Sequence, residues 1–259
     1  MDFKTILVSD SGPIRTITLN RPARRNAMTP EMQMELTEAF EDTASSPARA
    51  VVLTGAGGAF CSGLDLAVLR EMQDASAGDH RAEAERVARL FLALHDLPMP
   101  TIAAAQGPAI AGGCGLALIC DFTLATPNTS FGFTEVRIGF VPAIVSAFLV
   151  LHAGEKISRD LLLSGRIVTA DEAFRMGLVS SVVPQAELPA HVKSLADTLL
   201  ANSPQSLAAT KRLLNERHKT HLEDAVLAAV DAYVGARSSF DLSEGLSAFF
   251  EKRKPKWQG

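Results

Sequence analysis

Two stretches of this chain hold residues whose type and spacing bear on chemistry: VVLTGAGGAFCSGLDL at 51–66 and TIAAAQGPAIAGGCGLAL at 101–118. Each runs from an apolar, strand-like segment through a glycine-rich turn into the start of a helix. Glycine there lets the backbone reach positive φ and lets a ligand approach closely. The helix start exposes unpaired N–H groups with a partial positive field. A dinucleotide loop would read G-x-G-x-x-G with a carboxylate about twenty residues on, and neither turn fits. No GK[ST] occurs either, which removes a Walker loop. Two uses remain open on spacing alone. The glycines could simply allow tight strand–helix packing. Alternatively, one N–H from each turn could converge on a single oxygen and hold developing negative charge, where one donor is worth about 10²–10³ in rate.

A membrane reading of residues 101–120 also has to be weighed, since the segment is uncharged over a nominally spanning length. Pro108, Gln106, the glycines and the many alanines leave its hydrophobicity modest, so a buried strand, a loop and a buried helix fit better. Other reactive side chains offer less. His80, His95, His152, His191, His218 and His221 match no triad or HExxH pattern, and the spacing of His218 and His221 suits a surface helix. Cys61 and Cys114 read as packing residues with no positive group nearby to lower a thiol pKa. Asp121 is expected to cap or pair within the fold. No metal site is visible.

The elements that position the two turns follow from pattern. KTILVSDSGPIRTITLN (4–20) predicts a hairpin about DSG. Thr29-Pro30 reads as an N-cap and first helical residue, with Met32, Leu36, Ala39 and Phe40 as the apolar stripe. RAVVLTG (49–55) and TIAAA (101–105) read as buried strands, FTLA and SFGF as brief ones. Helices are expected from about Asp65 and over 81–95, the latter burying Val87, Leu90, Phe91 and Leu94. EVRIGFVP (135–142) reads as a loop before another helix. From about 186 the pattern is all helical, with Val226, Ala229, Val230 and Tyr233 on one face and a last helix over about 242–253. The fold class is α/β, with a core at 1–185 and a helical C-terminal region at 186–259.

At 259 residues the chain can bury a large single core. A net charge of −4 argues against a nucleic-acid surface. Three cysteines with no CxxC spacing suit free thiols in a reducing compartment, and charges in MDFKTILVSDSG leave no apolar signal core, so a cytoplasmic location is expected.

Taken in order, ITLNRPARRNAM, GGAFCSGLDL, QGPAIAGGCGLALICD, FGFTEVRIGFVPA, LLLSGRIVTADEAFRMGLVSSVV and EGLSAFFEKRKPKW resemble successive segments of the crotonase superfamily, the enoyl-CoA hydratase/isomerase family. The resemblance covers almost the whole chain. EVRIGFVPAIVSAFLV is similar to a bacterial branch of 3-methylglutaconyl-CoA-type hydratases. The resemblance implies a crotonase-like spiral of strand–strand–helix units, with later helices that assemble trimers or dimers of trimers. It implies an acyl-CoA substrate, no cofactor beyond the substrate's CoA, no membrane and no nucleic acid. The N–H groups of Leu64 and Gly112 would hold the thioester oxygen, and Glu135 would carry protons. Arg24 and Arg25 would meet CoA phosphates, and backbone at Ala27 and Leu66 would contact pantetheine and adenine. Ser62, Asp65 and Gly113 accompany that set, Asp65 chiefly by stabilising its helix start. Phe249 and Lys252 would cover the adenine end. The family's other glutamate falls on Gly115, where this chain has none. One carboxylate can hydrate a double bond only by serving in turn as base and acid, whereas moving a double bond needs one base alone. Hydration is the first expectation. The alternatives are Δ3-Δ2 enoyl-CoA isomerisation, other acyl-CoA chemistry, or a non-catalytic acyl-CoA- or RNA-binding protein.

Overall fold

A computed structural model describes residues 3–258. Strands β1 (Ile6–Ser11) and β2 (Ile14–Leu19) form the expected antiparallel hairpin. Helix α1 (Pro30–Ala44) starts at Thr29, whose side chain accepts from Met32 N at 3.3 Å. Then come β3 (Ala50–Gly55), α2 (Leu66–Glu71) and α3 (Ala77–His95). Helix α3 begins before residue 81 because Ser76 and Asp79 cap each other's backbone in a reciprocal box. The second glycine-rich passage contains β4 (Thr101–Ala105), β5 (Pro108–Ile110) and α4 (Gly112–Ile119). Strands β6 (Phe122–Ala125) and β7 (Ser130–Gly132) follow, then a 3₁₀ turn at Glu135–Ile138 and α5 (Ala143–Ser164), which kinks where Gly154 takes φ 72°. The chain continues through β8 (Ile167–Thr169), α6 (Ala170–Arg175) and β9 (Ser181–Val182). It ends in α7 (Leu188–Leu200), α8 (Pro204–Glu216), α9 (Lys219–Arg237) and α10 (Phe240–Phe250).

One sheet has the order β1-β2-β3-β4-β6-β9, parallel except for the first pair, and a smaller one has the order β5-β7-β8. This is the crotonase-like α/β spiral, in which β4 and β6 of the large sheet are followed by β5 and β7 of the small one. Strands β3 and β4 are nearly continuous apolar runs because both faces of the large sheet are covered. Val51, Leu53 and Ala103 face the main core with α1, α3 and α4, while Val52, Ile102 and Ala104 face Leu188, Ala196 and Leu199 of α7. The main core also takes in Leu222, Val226 and Tyr233 of α9 and Leu242 and Leu246 of α10. No helix among the described residues is long and apolar enough to cross a membrane.

Three expectations change. Residues 108–110 form strand β5, because Pro108–Ile110 pairs with Ser130–Gly132 once both glycine turns have closed. The 161–183 segment, given no element from its sequence, contributes β8 and β9 as well as α6. The last helix ends at Phe250, short of 253, since Lys252 adopts φ 54°. Near it, α10 presses on the 3₁₀ turn: a Cβ on Gly245 would collide with Ile138 O, and one on Gly139 with Asp241 O.

The first glycine loop is tied down by Asn26, a fully buried side chain. Its Nδ2 faces the carbonyls of Ala56, Ala59 and Phe60 at 3.0, 2.9 and 3.1 Å, one more acceptor than it has hydrogens. Its Oδ1 accepts from Arg21 N at 2.9 Å, and its φ of 54° is one that asparagine tolerates. Truncation would strand several buried polar groups. Asn26→Ala is expected to lower unfolding free energy by about 2–4 kcal/mol, read as a shift in the denaturant midpoint at unchanged slope.

Candidate active site

The two glycine turns meet. Met28 N donates to Gly63 O at 2.8 Å and Asp65 N to Met28 O at 3.0 Å, so the Leu64 N–H between them is left out of the pairing. Asp65 then caps α2, its Oδ1 accepting from Ala67 N at 3.2 Å and its Oδ2 from Arg21 Nη1 at 3.1 Å. On the other side, Ala111 takes φ 54° and ψ −129°, a conformation that strains a residue with a Cβ. Ala111 N donates to Gly132 O at 2.7 Å, which anchors this turn to the strand leading to Glu135. Gly112 follows as the first residue of α4, where an N–H has no intrahelical acceptor. Among the described residues neither the Leu64 nor the Gly112 N–H has an acceptor. A Cβ on Gly63 would stand 2.7 Å from Ala111 Cβ and 3.4 Å from Gly112 N, so only glycine allows this approach.

Leu64 and Gly112 both line a cavity of about 440 Å³ with Glu135 in its wall. Its lining is largely apolar, with Leu69, Val87, Phe91, Phe140, Ile144 and Val145 among the contributors. Glu135 as a residue is half-buried, but its Oε2 is closed off from solvent and has no hydrogen-bond partner among the described residues. Burial of that carboxyl pushes its pKa up to about 7. A proton acceptor poised near neutrality thus shares one cavity with two free N–H donors, an arrangement suited to moving a proton beside a carbonyl.

Of the other residues singled out in the sequence, Ser62, Leu66 and Phe249 line the cavity. Six do not line it. Arg24 and Arg25 lie exposed on a 3₁₀ turn and its left-handed cap. The Ala27 carbonyl is taken by Arg21 Nη1, and Asp65 faces Arg21 and its own helix. Gly113 lies hard against the Cys61 backbone, where a Cβ would overlap Cys61 O. Lys252 is exposed beyond α10, and Arg253 and Pro255 line the cavity there instead. Unforeseen wall residues include Met28, Arg137 and Tyr233. Arg137 has no ion-pair partner among the described residues, and its place two residues after Glu135 was the available signal. Asp121 pairs with Lys211 at 2.7 Å and accepts from Thr101 N at 2.8 Å. Burial pushes the Cys61 and Cys114 thiols up, away from nucleophilic use. No group of three His, Cys, Asp or Glu that could hold a metal ion is formed among the described residues.

Gly115 is the instructive case. A Cβ there would sit 2.7 Å from both Phe91 Cε1 and Val145 Cγ1. The position has not merely lost a side chain, because two apolar side chains fill its space.

Residues 10–259 match the family model described as enoyl-CoA hydratase/isomerase. The chain belongs to the enoyl-CoA hydratase/isomerase family. It is an enzyme of that family's crotonase-like fold. It is 43% identical to a putative enoyl-CoA hydratase of Thermus thermophilus, over 96% of this chain and 98% of that one. It is 32% identical to the crotonyl-CoA hydratase of Syntrophomonas wolfei, over 98% of each. The crystal structure of an enoyl-CoA hydratase/isomerase from Xanthobacter autotrophicus Py2 superposes with a TM-score of 0.90 at 32% identity, covering both chains completely.

Two outcomes follow for stability. Gly115→Ala should lower unfolding free energy by about 1–3 kcal/mol through overpacking, visible as a lower thermal midpoint. Glu135 is protonated in folded and unfolded chains below its ordinary value and ionised in both above about pH 7, so folding is penalised as pH rises through that window. Glu135→Gln should therefore match the parent near pH 4 and exceed it by about 3 kcal/mol above pH 8, at about 1.4 kcal/mol per decade. Denaturant titrations at both pH values check this, and parallel curves would contradict the burial of the charge.

Proposed function

We propose that this chain hydrates a 2-enoyl-CoA thioester. The observation that carries the reading is the unpartnered, solvent-shielded Oε2 of Glu135 in the cavity that Leu64 and Gly112 line. The thioester oxygen would accept from those two donors. The Glu135 carboxylate would take a proton from water as its oxygen bonds to Cβ, while the double-bond electrons move onto the thioester oxygen as an enolate. The protonated carboxyl would then return that proton to Cα, the enolate would collapse, and the carboxylate would be restored. A pKa near 7 favours both directions of this shuttle near neutral pH. The oxyanion field at the α4 N-terminus adds to the stabilisation. Relatives named as enoyl-CoA and crotonyl-CoA hydratases support the choice of reaction.

The CoA portion would run past the exposed Arg24 and Arg25, which are free to meet phosphates, with backbone at Ala27 and Leu66 along its length. Ser62, Asp65 and Gly113 shape that path, the last two by fixing the turns. Phe249 and Lys252 would shield the adenine end, from this subunit or a neighbour. The helices of 186–259 would assemble trimers or paired trimers in the cytoplasm, and the reaction as written needs no group beyond the substrate's own CoA.

A second reading, Δ3-Δ2 isomerisation, is favoured by one observation: Phe91 and Val145 occupy the place of a second carboxylate, and isomerisation needs one proton carrier. Crotonyl-CoA and a 3-enoyl-CoA supplied separately discriminate. Loss of the conjugated thioester absorbance with the first is expected. A gain of absorbance with the second, and no hydroxyacyl product from the first, would overturn hydration in favour of isomerisation. Glu135→Gln should reduce turnover by about 10²–10⁴, and retention within tenfold would remove Glu135 from the proton transfer.

A further inference from the structure

Arg237, in the last turn of α9, is a fully buried cation that does not line the cavity. Its Nη1 donates to Leu69 O at 2.9 Å and its Nη2 to Met72 O at 3.2 Å. These carbonyls belong to the last turn of α2 and to its capping residue, groups that a helix cannot satisfy for itself. His80 Nε2, also buried, reaches Met72 O at 3.1 Å. Behind the guanidinium, Glu83 Oε2 lies 3.0 Å from Nε, close enough to balance the charge but off the line of a hydrogen bond. Tyr233, one turn earlier on α9, stacks edge-on against Phe140 at 4.9 Å, and both rings line the cavity.

What this cluster holds is small and well placed. Helix α2 has six residues, too few to stand without outside support. It begins directly after Leu64 and Asp65, and it brings Leu66 and Leu69 into the cavity wall. A one-and-a-half-turn helix moves as a unit about 9 Å long, so gripping its C-terminal carbonyls fixes its first turn as well. A planar guanidinium spreads five donors over a rigid fork and so spans two carbonyls and a carboxylate, whereas an ammonium's three donors leave from a single nitrogen on a flexible stem.

We propose that Arg237 is a positioning residue for the Leu64 N–H: charge-balanced by Glu83, it clamps the C-terminal end of α2 and so sets where that donor points. The proposal rests on the reading that the Leu64 N–H binds the thioester oxygen. Removing one member of a buried ion pair leaves a lone charge, whereas replacing both by apolar residues is often neutral for stability. The decisive variant is therefore Glu83→Leu combined with Arg237→Met, with Arg237→Lys as the conservative partner. Amide hydrogen exchange over residues 62–72 is measured alongside kcat and KM for crotonyl-CoA. In the double variant, exchange over 62–72 should accelerate at least about tenfold while β4 stays protected. Because full loss of an oxyanion donor removes about 10²–10³ in rate, kcat should fall at least about tenfold, with KM changed much less. Arg237→Lys should fall between parent and double variant in both readouts. If the double variant does not fold, Arg237→Lys alone decides, and parent-like exchange and kcat in it overturn the clamp. Unchanged exchange over 62–72 in a folded double variant overturns it, as does faster exchange with kcat intact. A parent chain inactive on every enoyl-CoA sinks the hydratase reading instead, and the exchange measurement then tests the clamp by itself.

Discussion

At residues 61–63 and 109–113 two backbones lie against each other, with Gly63 and Gly113 at positions that leave no room for a side chain. Cys61 bridges to Ala109, Gly113 rests on the Cys61 carbonyl, and Gly63 faces Ala111 at a distance only a hydrogen can occupy. This contact places Leu64 and Gly112, each with an unpaired N–H, in the wall of one cavity. Much of the remaining structure serves it: Asn26 ties down residues 56–60 of the first loop, Met28 brackets Leu64, and Gly132 O holds Ala111. Even the strain at Ala111 belongs here, since its unfavourable φ is what turns β5 into α4 within a single residue.

Much of the fold was legible in the sequence because its signals are local. Thr29-Pro30, the DSG turn and the apolar runs of β3 and β4 each state their conformation within a few residues. Strand β5 was not legible, because Pro108–Ile110 is a strand only by pairing with a segment twenty residues away. Strands β8 and β9 depend on the same kind of distant partner. At the site, resemblance located Leu64, Gly112 and Glu135, but nothing in the sequence distinguishes a vacated position 115 from one filled by Phe91 and Val145. Phe91 appeared only as one member of a helix stripe. Asn26 and Arg237 were likewise invisible, since a buried Asn or Arg reads as a surface residue until its partners are known.

The cavity pairs a dry carboxyl with a dry wall. With Phe91 and Val145 against Gly115, the face opposite any second proton carrier is apolar, and the elevated pKa of Glu135 follows from the same exclusion of water. An apolar lining also strengthens whatever the two N–H groups do, because charges interact more strongly in a low-dielectric surrounding. Nearby, α3 supplies Phe91 to that wall and Glu83 to the base of α2, so one helix braces both sides of the cavity.

The meeting of α10 with the 3₁₀ turn has a consequence for how the chain is made. Gly139 and Gly245 let residues 138–139 and 241–245 touch backbone to backbone, and this seats the turn that presents Glu135. A ribosome delivers residue 135 more than a hundred residues before α10 emerges. Until then the turn lacks the surface it rests on. The nascent chain can join its glycine loops early, but the turn that carries Glu135 is braced by α10 only when synthesis is nearly over. That part of the cavity wall is thus completed by the last helix, and a prematurely terminated chain would hold most of the core without it.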